Sequence, residues 1–301
     1  MKEEAKHHAD FARLLIGEDY PTRVMGVINV SPESFYSGSV IRSDEILRRA
    51  AEKMEAEGAD IIDVGAMSTA PYIDSEVSES VEIDRMRSAI TAIRPVLKIP
   101  ISVDTVRSKV AAEGIRAGAD VVNDVSGLSH DSEMCKVVST NKVGIVIMAF
   151  EESAHLGIPM DRVVSALAKS VQTAKENGIA DDKIVVDPGI GFFRREGRGY
   201  GFSPEKEYPW YIWDSMIVRD LSLLRNTLRR PTCVGVSRKS FIGKITRKEA
   251  PEERLAGSIA ASAIAVYNGA DMIRTHDVSE TIQAVSMARA IRNPESLRAE
   301  P

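Results

Sequence analysis

Three stretches decide the fold: Gly58-Ala59-Asp60-Ile61-Ile62-Asp63-Val64-Gly65, Gly118-Ala119-Asp120-Val121-Val122-Asn123-Asp124, and Gly269-Ala270-Asp271-Met272-Ile273-Arg274-Thr275-His276. Each ends a helix-like run and opens a short apolar one. Glycine supplies the left-handed helix C-cap, and the aspartate begins the next strand. Three copies of one joint predict a repeated βα unit. Working outward, apolar runs of the same kind occupy residues 24–30, 60–64, 101–104, 121–125, 144–150, 184–187, 233–237 and 271–275. Most are apolar on successive residues, as strands buried on both faces are. Residues 43–57, 105–117, 163–177 and 251–267 read as helices between them. The first starts with a Ser43 cap, carries Asp44 and Glu45 in its first turn, and stops at Gly58. Eight such units in 301 residues predict an α/β fold, a single-domain (β/α)8 TIM barrel. It spans residues 23–293, with a lead-in segment 1–22 and a tail 294–301. An open doubly wound sheet is the alternative topology. Residues 11–20 read as a short amphipathic lead-in helix. Residues 188–209, rich in Gly and Arg, make a long βα connection.

Composition narrows the function. Lysine and arginine number 39 against 44 acidic residues, a net charge of −5. No basic excess is available to neutralise phosphates along a nucleic acid. The apolar share of 44% is that of an ordinary globular chain. The longest apolar stretch, residues 145–150, is far short of the ~20 residues of a membrane span. The two cysteines, Cys135 and Cys233, have no metal-ligand spacing and no disulfide framework, which predicts a cytoplasmic, reduced protein.

Barrel chemistry gathers where strands end. The polar residues there are Asn29, Asp63, Asp104, Asn123 with Asp124, Asp187, Ser237 to Lys239, and Arg274 with His276. Taken singly, each is an ordinary turn former. Taken together, they ring one predicted mouth. The fifth run ends in Met148, Ala149 and Phe150, an apolar wall for a flat ring. Carboxylates and an amide suit a heterocycle with an N–H edge, because a carboxylate accepts two parallel hydrogen bonds. Without paired Cys or clustered His, the set does not read as a zinc centre. Arg274 and His276 stand two residues apart and point the same way; with Lys239 they suit a phosphate or pyrophosphate. The plainer reading is a salt bridge to Asp277.

At this point the residues resemble a known family. Asn29-Val30-Ser31-Pro32-Glu33-Ser34-Phe35 is similar to the first signature of dihydropteroate synthases. The stretch from Gly58 to Gly65 followed by Ser68-Thr69 resembles the second. Ser102-Val103-Asp104-Thr105, Asn123-Asp124, Asp187-Pro188-Gly189-Ile190-Gly191-Phe192, Ser237-Arg238-Lys239-Ser240-Phe241-Ile242-Gly243 and Arg274-Thr275-His276-Asp277 follow in the family's order. The resemblance implies a transferase of folate biosynthesis. It would join 6-hydroxymethyl-7,8-dihydropterin pyrophosphate to an arylamine, p-aminobenzoate or a relative, and release pyrophosphate. It further implies that Asn29 contacts Mg²⁺ on the pyrophosphate. Asp104, Asn123, Asp187 and Lys239 would hold the pterin; Arg274 and His276 would bind the pyrophosphate. Ser237 and Phe192 would flank the arylamine, Asp63 would support its strand end, and Thr69 would belong to the substrate site. The implied catalytic set is Asn29, Asp104, Lys239, Arg274 and His276. A homodimer through the late helices is the family's common form.

The chain departs from the pattern in four places. Ala70-Pro71-Tyr72 follows Ser68-Thr69 where an arginine is usual, and Ala66-Met67 replaces Gly-Glu. Ser37 stands where an aspartate is usual, and Phe193-Arg194 replaces Gly-Lys, with Arg195 and Arg198 beyond. The lost cation leaves the acceptor open. Either the arginines after Phe193 replace it, or the acceptor is a modified arylamine bearing a phosphate. Rival functions are a methyltransferase using a methyl-tetrahydropterin, which needs no pyrophosphate clamp, and a non-catalytic pterin-binding barrel.

Overall fold

The computed structural model describes residues 8–30, 44–67, 77–150, 158–192 and 208–295. Two short strands, β1 (His8–Phe11) and β2 (Leu14–Gly17), precede the main fold. Then β3 (Arg23–Asn29), α1 (Asp44–Ala56), β4 (Ile61–Gly65), α2 (Glu79–Ile93), β5 (Ile101–Asp104), α3 (Ser108–Ala117), β6 (Val121–Asp124), α4 (Met134–Asn141) and β7 (Gly144–Met148) alternate. The second half holds α5 (Pro159–Glu176), β8 (Ile184–Asp187), α6 (Trp210–Arg219), α7 (Leu221–Leu228), β9 (Cys233–Val234), α8 (Ser240–Thr246), α9 (Leu255–Tyr267), β10 (Met272–Thr275) and α10 (Val278–Arg292).

Eight strands pair in parallel in the order β8-β7-β6-β5-β4-β3-β10-β9. A further bridge from Val186 to Thr232 joins the two ends of that order, with Val186 N–H donating to the Pro231 carbonyl at 2.9 Å. The sheet closes on itself, so the fold is a (β/α)8 barrel and not the open doubly wound alternative.

The three joints do more than cap helices. Gly58, Gly118 and Gly269 hold φ of +102°, +115° and +109°, the left-handed C-cap. The aspartate two residues on reaches to the start of the adjacent strand. Asp60 accepts Val24 N–H at 2.8 Å, Asp120 accepts Ile101 N–H at 3.0 Å, and Asp271 accepts Thr232 N–H at 2.9 Å. An arginine backs each: Arg23, Arg94 and Arg225. The joint therefore staples neighbouring βα units together.

Several boundaries differ from the sequence reading. Residues 11–20 are not a helix. β1 and β2 form an antiparallel hairpin, with Ala12 and Arg13 at positive φ (51° and 77°) in the two-residue turn. Helical spacing on so short a stretch was outweighed by the barrel's open bottom. Ala9, Phe11 and Ile16 fill it, packing with Met25, Ile61, Val121, Val146, Val185, Cys233 and Met272. The run 233–237 keeps only Cys233–Val234 as strand, because Arg238 takes φ +55° and turns the chain into α8. The run 251–267 divides into a 3-10 turn, Pro251–Arg254, and α9. The helix expected over 163–177 begins a turn earlier, with Pro159 in its first turn.

Candidate active site

Strand register assembles the site. Asn29 pairs with Gly65, Gly65 with Asp104, and Asp104 with Asn123, so four neighbouring strands contribute one continuous row. Gly65 makes the row possible. A Cβ there would stand 3.1 Å from Asn29 Oδ1 and 3.9 Å from Asp104 Oδ2, so a larger residue would crowd the Asn29 amide.

Arg274 ties the centre together. Its Nε donates to Asp63 Oδ2 at 2.7 Å and its Nη2 to Asp104 Oδ2 at 2.8 Å. Asn123 Nδ2 donates to the same Asp63 oxygen at 3.2 Å. Asp63 is fully buried, while Asp104 and Asn123 are nearly so. Burial works against the charge of Arg274, but Asp63 and Asp104 outweigh it and hold the guanidinium protonated. Two carboxylate oxygens, Asp63 Oδ1 and Asp104 Oδ1, are buried without a hydrogen-bond partner among the described residues, as is Ser102 Oγ. Buried polar atoms are rarely left so, and these acceptors suit ligand N–H groups or water. Burial pushes the Asp104 carboxyl up to about 7, with Arg274 opposing and the Asp63 and Glu82 charges adding. Burial likewise raises Asp187, against the Gly189 N–H and the charges of Lys239 and Arg274.

At the same end of the barrel lies an apolar cluster. Met148 packs with Val106 and Val125, and Phe192 closes the group. The Lys239 ammonium sits 4.5 Å from the centre of the Phe192 ring. An apolar face and orphaned acceptors together have the chemistry that a flat polar heterocycle needs.

The last pair is Ser237 and His276. Ser237 Oγ accepts the His276 backbone N–H at 3.2 Å and lies 3.0 Å from its Nδ1. The hydroxyl holds the ring through Nδ1, which leaves Nε2 as the ring's second polar atom. Burial, with the charges of Arg274, Arg238 and Lys239, pushes His276 down to about 3, so the ring is neutral. Asp277 pairs with Arg238, through Nε at 2.9 Å, and not with Arg274 or His276.

A family model described as pterin binding enzyme matches residues 25–276. The chain belongs to the pterin-binding enzyme family. The dihydropteroate synthase of Bacillus subtilis is 35% identical over 273 residues, covering 90% of this chain and 89% of that one. That of Synechocystis is 34% identical over 277 residues, covering 90% of each. A solved dihydropteroate synthase from Coxiella burnetii, in complex with pteroic acid, superposes with a TM-score of 0.81 at 35% identity, covering 96% of this chain and 99% of that one. One from Xanthomonas albilineans, with 4-aminobenzoic acid, gives 0.81 at 29%, covering 98% and 100%.

In this pterin-binding enzyme, every site residue expected from the sequence gathers at one barrel mouth, except Thr69, which lies outside the described residues. Ser37, residues 70–72 and Arg194, Arg195 and Arg198 lie outside them too. The sequence reading passed over Glu82. It is fully buried on α2 and accepts Thr105 Oγ1 at 2.7 Å and Arg107 Nη1 at 2.7 Å, directly behind Asp104. The signal was present: Glu82 occupies the same helix face as the buried Met86, Ile90 and Ile93.

Proposed function

We infer that this chain is a dihydropteroate synthase, joining 6-hydroxymethyl-7,8-dihydropterin pyrophosphate to an arylamine in folate biosynthesis. The observation that carries this is the buried mouth: orphaned oxygens of Asp63 and Asp104, with Asn123 and Asp187 at neighbouring strand ends and an apolar cluster of Met148 and Phe192 at the same end of the barrel. Pterin N–H groups supply the donors those oxygens lack, and the ring lies on that cluster.

The reaction breaks the bond between the methylene carbon and the pyrophosphate oxygen. Carbon–nitrogen bond formation follows, and the amine loses a proton. Asp104 and Asp187 hold the ring through its N–H groups and stabilise positive charge as it develops there. Lys239 lies over Phe192 and orients the ring edge. Neutral His276 donates from Nε2 to the leaving pyrophosphate, with its ring fixed by Ser237. Arg274, bound by Asp63 and Asp104, stabilises the departing anion by charge at short range. Asn29 would hold Mg²⁺: its amide oxygen is a hard donor left standing by the Gly65 cradle. Such an ion would supply positive charge to offset that of the leaving group. The amine needs positioning more than a strong base.

We place the protein in the cytoplasm, since Cys135 and Cys233 are buried and free. No helix of the described residues is long and apolar enough to cross a membrane. We also propose a homodimer: α9 and α10 pack together yet leave Ile264, Tyr267, Met287 and Ile291 exposed. Light scattering of the full chain tests this; a monomer at micromolar concentration refutes it.

The deciding assay supplies the dihydropterin pyrophosphate, Mg²⁺ and p-aminobenzoate, and follows pyrophosphate release together with amine consumption. Both are expected in equal amounts. Methyl transfer without pyrophosphate release would instead support the methyl-tetrahydropterin rival, and pterin binding without turnover the non-catalytic one. Turnover only with a phosphate-bearing arylamine would assign the acceptor to that class. Arg194→Ala and Arg195→Ala then read whether those arginines meet the acceptor, through its KM.

A further inference from the structure

Asp214 lies on α6 and is fully buried. Nothing in the reaction described above uses it. Its Oδ1 accepts the backbone N–H of Gly191 at 2.9 Å. Gly191 belongs to the turn that follows Asp187 and holds φ at +87°, in the left-handed region. Asp187 pins the near end of that turn, its Oδ1 accepting Gly189 N–H at 2.7 Å. Phe192 N–H closes the turn on the Gly189 carbonyl at 3.1 Å. Asp214 pins the far end.

The Lys239 side chain rests on that far end. A Cβ on Gly191 would stand 2.6 Å from Lys239 Cδ and 3.1 Å from its Nζ. The same ammonium sits 4.5 Å from the centre of the Phe192 ring. One helix carboxylate therefore fixes the backbone bed on which the lysine lies.

We propose that Asp214 is a positioning residue for the pterin grip. By holding the Gly191 amide, it sets the seat of Lys239 and the place of the Phe192 ring, and so the affinity for the pterin substrate. This rests on the functional reading above. Packing alone does not account for the residue: Trp213, Ile217 and Val218 already bury the same face of α6, and a carboxylate adds desolvation cost there unless hydrogen bonds compensate it. A long lysine stem also loses rotamer freedom when it grips a ligand, and a prearranged seat lowers that loss.

The test titrates pteroic acid into the full-length protein by calorimetry, in a double-mutant cycle. Asp214→Ala is expected to weaken binding about tenfold in the Lys239 background and less than about twofold in the Lys239→Ala background. Asp214→Asn keeps an acceptor oxygen and is expected to stay within about twofold of wild type. In turnover, Asp214→Ala is expected to raise KM for the dihydropterin pyrophosphate more than KM for p-aminobenzoate. Equal losses in both backgrounds, unchanged affinity in a folded Asp214→Ala, or no rescue by asparagine would each overturn the proposal. Where Asp214→Ala does not fold, Asp214→Ser, whose hydroxyl is too short to reach Gly191, takes its place with the same expectations. Absence of pteroic acid binding in the wild type refutes the functional reading itself. Binding that Asp214→Ala leaves intact refutes only the positioning role.

Discussion

Asp104 holds one oxygen on Arg274, and its other oxygen is buried without a partner among the described residues. Its carboxyl, raised to about 7, gives two pH dependences of opposite sense. A carboxylate must be charged to accept two N–H groups, so kcat/KM for the pterin is expected to fall as pH drops below about 7. A pH profile flat from 8 to 5 would contradict this. Stability runs the other way. Between the unfolded value of 3.8 and about 7 the folded state holds the extra proton, so stability is lost as pH rises through that window. Asp104→Asn is therefore expected to be inactive, yet to gain in Tm over wild type from pH 5 to pH 8. A gap that narrows would refute the buried charge as its source. His276 makes a second case. Ser237→Ala removes the hydroxyl that holds the ring at Nδ1, and kcat is expected to drop about tenfold with pterin KM little changed. Steady-state kinetics separate the two; a change confined to KM would assign Ser237 to binding.

Among elements, the βα joint is the unit that repeats. Its glycine ends a helix, and its aspartate caps the neighbouring strand with an arginine behind it. Asp120→Ala leaves the Ile101 N–H and Arg94 without that oxygen, and is expected to cost about 1–2 kcal/mol by urea unfolding. No change in midpoint would show that water replaces it fully. Close packing is equally local. A Cβ on Gly114 of α3 would stand 2.5 Å from Val103 Cγ1 on β5, so Gly114→Ala is expected to destabilise by about 1–3 kcal/mol despite its gain in helix propensity. Helix faces also carry a readable exception. Glu82 and Asp214 each interrupt an otherwise buried apolar face, and each reaches the mouth, the first through Thr105 and Arg107, the second through Gly191. An acid on such a face is a sequence signal for a polar partner beyond the helix.

For the whole molecule, chemistry and support lie at opposite ends of one barrel. The hairpin of β1 and β2 seals the bottom, where a Cβ on Gly144 would stand 2.3 Å from the Phe11 ring. Lys183 Nζ donates to the Asp10 carbonyl at 2.8 Å and Arg23 Nε to the Leu15 carbonyl at 3.0 Å, which ties the hairpin in place. Phe11→Ala is expected to cost about 3–5 kcal/mol in stability while pteroic acid affinity stays unchanged. An equal fall in affinity would mean the two ends are coupled. The barrel itself was legible in the chain, because strands buried on both faces and glycine-aspartate joints are written in local residue choice. The polar ring was legible too, since each member stands within two residues of the end of an apolar run. The hairpin was not: its four-residue strands carry too little periodicity, and only the open barrel end selects them. Nor were the partners. Sequence by itself determined which residues stand at the strand ends. Only the closed barrel decided that Arg274 lies between Asp63 and Asp104, that Gly65 makes room for Asn29, and that His276 stays neutral. Those depend on register and burial, which arise when distant strands meet and exclude water.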